Sequence, residues 1–392
     1  LLGRFKSNRM KKLTIVYHYF AHYREPVLRE LCQSLSADFE LELLADEVAE
    51  IPALKTIPLR TFCSGLCSYS KLKNRWLGPW LWQSGLLRAI WHNNADVVIF
   101  LGQFNFLSTW LAVVLARMMG KKTYFWSHGV YGNEGRFKKW VRISFYKLSH
   151  GMLLYGNHAK DLLIEAGMPA ERLHVIYNSL DYKRQKLLRE QKKESIVPGI
   201  RLELFGLDSP YIIFVGRLTA VKRLDLLFSA LSVVNQKANT DIRCLIVGDG
   251  PERLTLQQLV ESEGWQKSVK FYGACHDEVV LSDLLYASNL CVAPGNVGLT
   301  AIHSLVYGTP VITHGNKSWQ GPEFEAIIPS QNGDFFEQGS VSDLVLKVCD
   351  WIKLSEANRA KVRSSCYKIV DEKYNPEYQA KVIAWAIDGK GC

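Results

Sequence analysis

The sequence contains no run of about 18 uncharged apolar residues, so no segment of it reads as a bilayer-spanning helix. Its nine cysteines, at 32, 63, 67, 244, 275, 291, 349, 366 and 392, form no paired C-x-x-C set, and their count is odd. Zinc-finger and disulfide-scaffold readings therefore fail, and reduced thiols in a cytosolic protein are expected. No short-period repeat, low-complexity tract or nucleic-acid motif occurs. The opening LLGRFKSNRM lacks the apolar core of a secretory signal; it reads as an upstream extension, with the native start expected at Met10. Acidic residues are scarce in the first half. Residues 1–195 hold 29 Lys+Arg against 16 Asp+Glu, a net of +13, while the remainder is at −3. The first half therefore calls for an anionic surface or partner.

What is present is ordinary globular material: 392 residues, 48% hydrophobic and 22% charged, enough for two domains with cores of their own. Apolar runs alternate with helical periodicity: LTIVYHY, FELELLA, DVVIFLG, KTYFWSHG and MLLYGN read as strands, and PWLWQSGLLRAIWHN as a helix. The alternation pauses over the polar stretch 182–210, the expected boundary, and restarts with YIIFVGRL, IRCLIVGDG, VKFYG, LCVAPG and PVITH. The pattern predicts two tandem doubly wound α/β domains with parallel sheets, 10–195 and 205–375. Ligands bind outside the carboxyl ends of such strands, so the chemistry is expected in a cleft between the domains.

Four stretches carry chemistry, the last of them NGDFFEQGSVSDL, 332–344. FVGRLTAVKRLDLLFSAL, 214–231, ends a strand at Gly216 and puts Arg217 and Lys222 on the following loop. Two cations beside a glycine can neutralise a diphosphate; a solvated surface pair is the plainer alternative. IVGDGP, 246–251, places Gly248 and Gly250 between strand and helix, where they admit a flat group or simply make a turn. APGNVGLTAIHSLVYGTPVI, 293–312, offers a loop of Gly295, Asn296, Val297, Gly298 and Leu299, a cap at Thr300, and His303 one turn into the helix. His303 either packs or touches a ligand. Glu323 and Glu325 follow in PEFEAIIP, and His18, His22, Tyr23 and Arg24 follow the first strand.

In this order the stretches resemble the donor-binding domain of retaining glycosyltransferases of the GT-B fold, family 4. That family reads G-R-L, K-G, G-x-G-P, E-G-F-G-L-x-x-x-E-A, G-x-P-V-I and N-G. Gly216–Arg217–Leu218, Lys222, Gly248–Asp249–Gly250–Pro251, Gly298–Leu299, Gly308–Ile312 and Asn332–Gly333 match. In the first half SHG at 127–129 and VIYNSLD at 175–181 agree. The resemblance implies two Rossmann-like domains, with 376–392 crossing back onto the first. It implies transfer of a sugar from a UDP- or GDP-sugar with retention, with no metal or cofactor and no side-chain nucleophile. Arg217 and Lys222 would stabilise the leaving diphosphate, and His128 would stand near the donor sugar. The pattern departs where the family has two glutamates, one on the donor sugar and one on the ribose: here stand Gly295 and His303. Only backbone N–H groups of 295–300 could meet the sugar there. The departures keep a non-catalytic nucleotide- or sugar-binding homologue open as the alternative.

The basic half adds YSKLKNRWLGPWLWQSGLLRAIW, 69–91, and RFKKWVRISFYKL, 136–148, where Lys and Arg mix with Trp and Phe. Such stretches suit an anionic membrane interface as well as an ordinary core-facing helix. The expected acceptor is a carbohydrate, lipid-linked, in bacterial surface polysaccharide (O-antigen or capsule) assembly. The expected place is the cytoplasm, peripheral on the inner face of the plasma membrane. No nucleic-acid partner is expected.

Overall fold

The structure, a computed structural model, describes residues 10–48, 55–238 and 241–389. The reading of residues 1–9 lies outside them, as does Cys392. The chain divides into two units, one running to Tyr177 and resuming at Pro376, the other spanning Asn178–Asn375.

The first unit holds a seven-stranded parallel sheet in the order Ser68–Lys71, Phe39–Ala45, Lys11–Val16, Val97–Leu101, Lys122–Ser127, Gly151–Leu154, Leu173–Val175. Its central strands are apolar along their length because both faces are covered. Leu13, Ile15 and Leu43 pack on one side with helices Glu25–Ser34 and Pro376–Asp388. Val16, Leu44 and Phe100 pack on the other with Leu86–His92, Leu107–Met118 and Arg136–Tyr146.

The second unit is a six-stranded parallel sheet in the order Val269–Gly273, Arg243–Val247, Tyr211–Val215, Leu290–Ala293, Val311–His314, Gly333–Phe336. Each unit is a Rossmann-like doubly wound domain. In the second, the chain winds outward from Tyr211–Val215 in one direction and from Leu290–Ala293 in the other. The switch point therefore lies between these two strands, and a crevice opens beyond their carboxyl ends.

Two expectations change. The boundary falls at 177/178, earlier than 195: the polar stretch is two helices, Tyr182–Glu190 and Val197–Phe205, packed on helix Glu278–Ala287 of the second unit. Asp181 caps the first, accepting from the Arg184 amide, and Gly206, at φ +74°, ends the second. Their polarity misleads because they bury polar side chains in pairs: Arg189 with Asp371 at 2.6 Å, and Arg201 with Asn289 at 2.7 Å. The Trp-rich stretch is also not one helix. Lys73–Leu77 and Trp80–Ser84 form an antiparallel hairpin, and the helix begins only after Gly85, at φ +93°. Leu81 and Gln83 turn inward while Trp80 and Trp82 turn outward, a period of two that the tryptophans disguise as amphipathic helix.

Candidate active site

Beyond the switch point of the second unit lie loop 216–223 and loop 294–299. They are tied together by the strands beneath them. Thr300 Oγ1 donates to the Val215 carbonyl at 2.7 Å, so its hydroxyl links the two strand ends instead of capping the helix Thr300–Val306. A Cβ on Gly216 would stand 3.6 Å from that oxygen.

The loop amides divide in two. Gly295 donates to the Lys222 carbonyl (3.1 Å), Asn296 to Val221 (3.4 Å), and Val297 to the Gln320 side chain (3.0 Å). Gln320 is buried and also donates to Thr313 and to the His314 carbonyl. The N–H groups of Gly298, Leu299 and Thr300 have no acceptor among the described residues. The amides able to meet a ligand are thus 298–300, not 295–300. They are the donors that a helix start leaves free, and they suit an anion.

Loop packing accounts for the glycines. Gly248, at φ +148°, carries no Cβ because one would sit 1.9 Å from the Gly216 carbonyl oxygen. One on Gly250 would meet the Leu218 carbonyl oxygen at 2.2 Å. Gly216 and Leu218 donate to Val247 and Asp249, both at 2.9 Å, which zips the two turns together.

The two cations differ. Arg217 is exposed at the crevice, and among the described residues no hydrogen bond or ion pair takes up its guanidinium. Lys222 is half-buried and its ammonium donates to the Asn296 carbonyl, lashing the two loops together. Burial lowers the Lys222 pKa, and the Glu323 carboxylate works against that shift. Glu323 is buried and accepts from Asn178 Nδ2 at 2.8 Å; Glu325 is less covered. A Cβ on Gly321 would lie 2.8 Å from Glu323 Oε2 and 3.6 Å from both Asn296 Oδ1 and the Gly298 Cα, so Glu323 stands beside the 296–298 loop.

His303 packs against a carboxylate. Glu278 Oε1 accepts from His303 Nε2 (3.0 Å), from the Tyr307 hydroxyl (2.6 Å) and from Gln185 Nε2 (3.0 Å). Burial pushes the Glu278 carboxyl up, but the His303 contact and the other two donors outweigh it and hold it at about 2. This cluster left no sign in the sequence beyond the acidic HDE at a helix start, where Asp277 is the cap. Gln320 left no sign at all.

In the first unit, His128 follows strand Lys122–Ser127, its ring 4.7 Å from Tyr155. Burial, then Arg24 and Arg142, lowers its pKa to about 4, so the imidazole is neutral at pH 7 and can donate and accept at once. Arg24 itself lies over the rings of Tyr17, Trp126 and Tyr155 and donates to the Tyr155 hydroxyl. His18 is half-buried, with its pKa also lowered to about 4 by burial and by Arg24; His22 is exposed.

Comparison with known proteins follows the same division. Residues 202–368 match the family model described as Glycosyl transferases group 1, and residues 25–184 match Glycosyltransferase Family 4. Alpha-D-kanosaminyltransferase of Streptomyces kanamyceticus is 27% identical over 184 residues, 45% of each chain. The phosphatidylinositol N-acetylglucosaminyltransferase GPI3 subunit of Saccharomyces cerevisiae is 25% identical over 249 residues, 59% of this chain and 50% of that one. The chain thus spans about half the length of the curated relatives it matches. Anabaena Alr3699/HepE, solved in complex with UDP, superposes with a TM-score of 0.72 at 17% identity, covering 97% of this chain and 100% of that one. The lipopolysaccharide outer core galactosyltransferase WaaB, in its apo form, gives 0.67 at 15% identity, covering 96% and 99%. With one glycosyltransferase family model on each half, and both doubly wound sheets in place, the chain belongs to the family 4, group 1 glycosyltransferases of the GT-B fold.

Proposed function

We propose that the protein is a retaining, metal-independent glycosyltransferase that moves a hexosyl group from a nucleoside-diphosphate sugar to a carbohydrate acceptor. The observation that carries this reading is the guanidinium of Arg217 beside Gly216, uncommitted among the described residues, next to three amides, 298–300, that have no acceptor among them either. That set suits a diphosphate. Lys222 has two further N–H donors to add to the one it spends on Asn296. As the bond from the anomeric carbon to the phosphate oxygen breaks, charge grows on the diphosphate, and these donors stabilise it where it grows. The acceptor oxygen forms its bond to the anomeric carbon on the same face, and its proton passes to the departing diphosphate.

The names of similar proteins support the finer reading. Alr3699/HepE is solved with UDP, the GPI3 subunit is named for transfer to phosphatidylinositol, and WaaB is named for lipopolysaccharide. For this chain we read a UDP- or GDP-sugar donor, a lipid-linked acceptor, and a place in bacterial surface polysaccharide assembly on the cytoplasmic side. Release of free nucleoside diphosphate from candidate UDP- and GDP-sugars tests it: slow hydrolysis that Arg217→Ala abolishes supports the transferase. A second reading, a binder without turnover, is favoured by Gly295 lacking a carboxylate and by His303 being committed to Glu278. Saturable nucleotide binding with no release from any donor would establish the binder.

A further inference from the structure

Helix Leu107–Met118 of the first unit is built inside out. Ala112, Val113 and Ala116 face the core, while Leu107, Leu111, Val114 and Met118 form a stripe of large apolar side chains open to solvent, Met118 at 82%. Nothing polar interrupts the stripe, and Arg117 is the helix's one charge. The same surface continues on both sides. The hairpin projects Leu77, 79% exposed, at its turn, with Trp76, Trp80 and Trp82 exposed along its strands. Helix Arg136–Tyr146 projects Phe137 and Trp140, 77% and 64% exposed, their rings 6.1 Å apart.

Loop 102–106 joins the three. Leu81 donates its amide to the Asn105 carbonyl at 3.0 Å, and Asn105 Nδ2 donates back to the Pro79 carbonyl at 2.6 Å. The Trp80 ring lies 6.4 Å from Phe104, and Phe104 also carries the Arg142 guanidinium at 5.0 Å and the Lys138 ammonium at 6.0 Å. Trp110 packs on Phe145 at 4.8 Å. Hairpin, helix and helix therefore make one patch, not three separate exposures.

Charge decides what the patch meets. Residues 55–150 contain 14 Lys+Arg and two acids, Asp96 and Glu134, and Glu134 is neutralised by Arg142. A second copy would bring the same positive field against it, and a nucleic acid would leave Leu77, Leu111 and Met118 wet. The geometry points to the surface of an anionic bilayer as the occupant: apolar and Trp side chains enter the headgroup region while Lys73, Arg75, Arg88, Arg136 and Lys138 stay at its plane. No helix among the described residues is long and apolar enough to cross a membrane, so the contact is with one leaflet. A monomeric soluble protein rarely leaves so large a contiguous apolar area uncovered.

The test is co-sedimentation of the full chain with vesicles of phosphatidylcholine and of phosphatidylcholine doped with phosphatidylglycerol. Recovery on the anionic vesicles should exceed that on neutral ones by roughly tenfold or more at low salt, and should fall as salt rises. The double variant Leu77→Asp, Trp140→Asp should lose binding while keeping the wild-type unfolding midpoint. Leu254→Asp, an exposed position in the second unit, should bind like wild type. Equal recovery on both vesicles in wild type overturns the inference without any variant having to fold. So does a double variant that binds unchanged, or a concentration-dependent dimer that the same two substitutions dissolve. Vesicle binding does not depend on sugar transfer, so either reading can fail alone.

Discussion

The carbonyl oxygen of Val221 occupies the space a side chain on Gly295 would need: a Cβ there would lie 1.8 Å from it. The 219–222 turn packs against the loop and is fixed there by the Gly295 amide on Lys222 and the Asn296 amide on Val221. Glycine is therefore required by packing, and no carboxylate can be restored by substitution at this position. Gly295→Ala should destabilise the second unit by about 1–3 kcal/mol or more, since the neighbour that must yield is backbone. Gly295→Glu should fold worse still, without gain in activity. Denaturant unfolding of both variants checks this; a wild-type midpoint for Gly295→Ala would refute it.

Arg217 and Lys222 should separate in their effects. Arg217 has no partner to lose among the described residues, so Arg217→Ala should leave the unfolding midpoint in place and cut turnover by roughly 10²–10³, about 2–4 kcal/mol of barrier. Arg217→Lys should recover part of this, because a point charge lacks the planar fork. Lys222→Ala removes an anion contact and also unties the loops, so it should lower stability as well, by about 1 kcal/mol. Nucleotide release and thermal unfolding, measured on the same preparations, decide it.

The parts that were legible in the sequence are those written in short-range pattern. Apolar runs such as VVIFL and YIIFV gave the central strands, and G-R-L and G-x-G-P gave the turns that follow two neighbouring strands of the second unit. Long-range pairing was not legible. Nothing near Gln185 shows that it will donate to Glu278 on another helix, or that Gln320 will occupy the Val297 amide. Edge strand Ser68–Lys71 has too little apolar content to announce itself, because one of its sides has no strand to pair with. The hairpin at 73–84 was hidden by tryptophans exposed to solvent, where a period-two reading expects polar side chains.

Two histidines should make the protein acid-sensitive. His18 and His128 are both held at about 4, from an ordinary value of 6.5. The unfolded chain takes up these protons first, so stability should fall as pH drops from 6.5 towards 4 and level off below. His18 Nδ1 is buried with no partner among the described residues, beside the rings of Tyr19 and Phe106. His18→Phe should flatten the slope and be neutral or stabilising at pH 7. His128→Ala should abolish transfer. With His128 intact, turnover between pH 6 and 8 should show no titration from this group.

Glu278 should act in the opposite part of the pH scale. Its carboxyl is held at about 2, below the ordinary 4.5, so the folded protein releases that proton more readily than the unfolded chain does. Its contribution is therefore complete above pH 4.5 and is lost as pH falls through about 2, up to about 3 kcal/mol. One acceptor oxygen serves His303, Tyr307 and Gln185, from three different positions in the second unit. Glu278→Gln keeps the shape but takes away the charge and replaces part of the acceptor surface with donors. It should destabilise at pH 6 and show little further loss between pH 4.5 and 2.5, where wild type keeps falling. His303→Ala should remove part of the same slope and, in a double-mutant cycle with Glu278→Gln, give clearly less than the sum of the two losses. Additive losses would mean that His303 spends its ring on something other than this carboxylate.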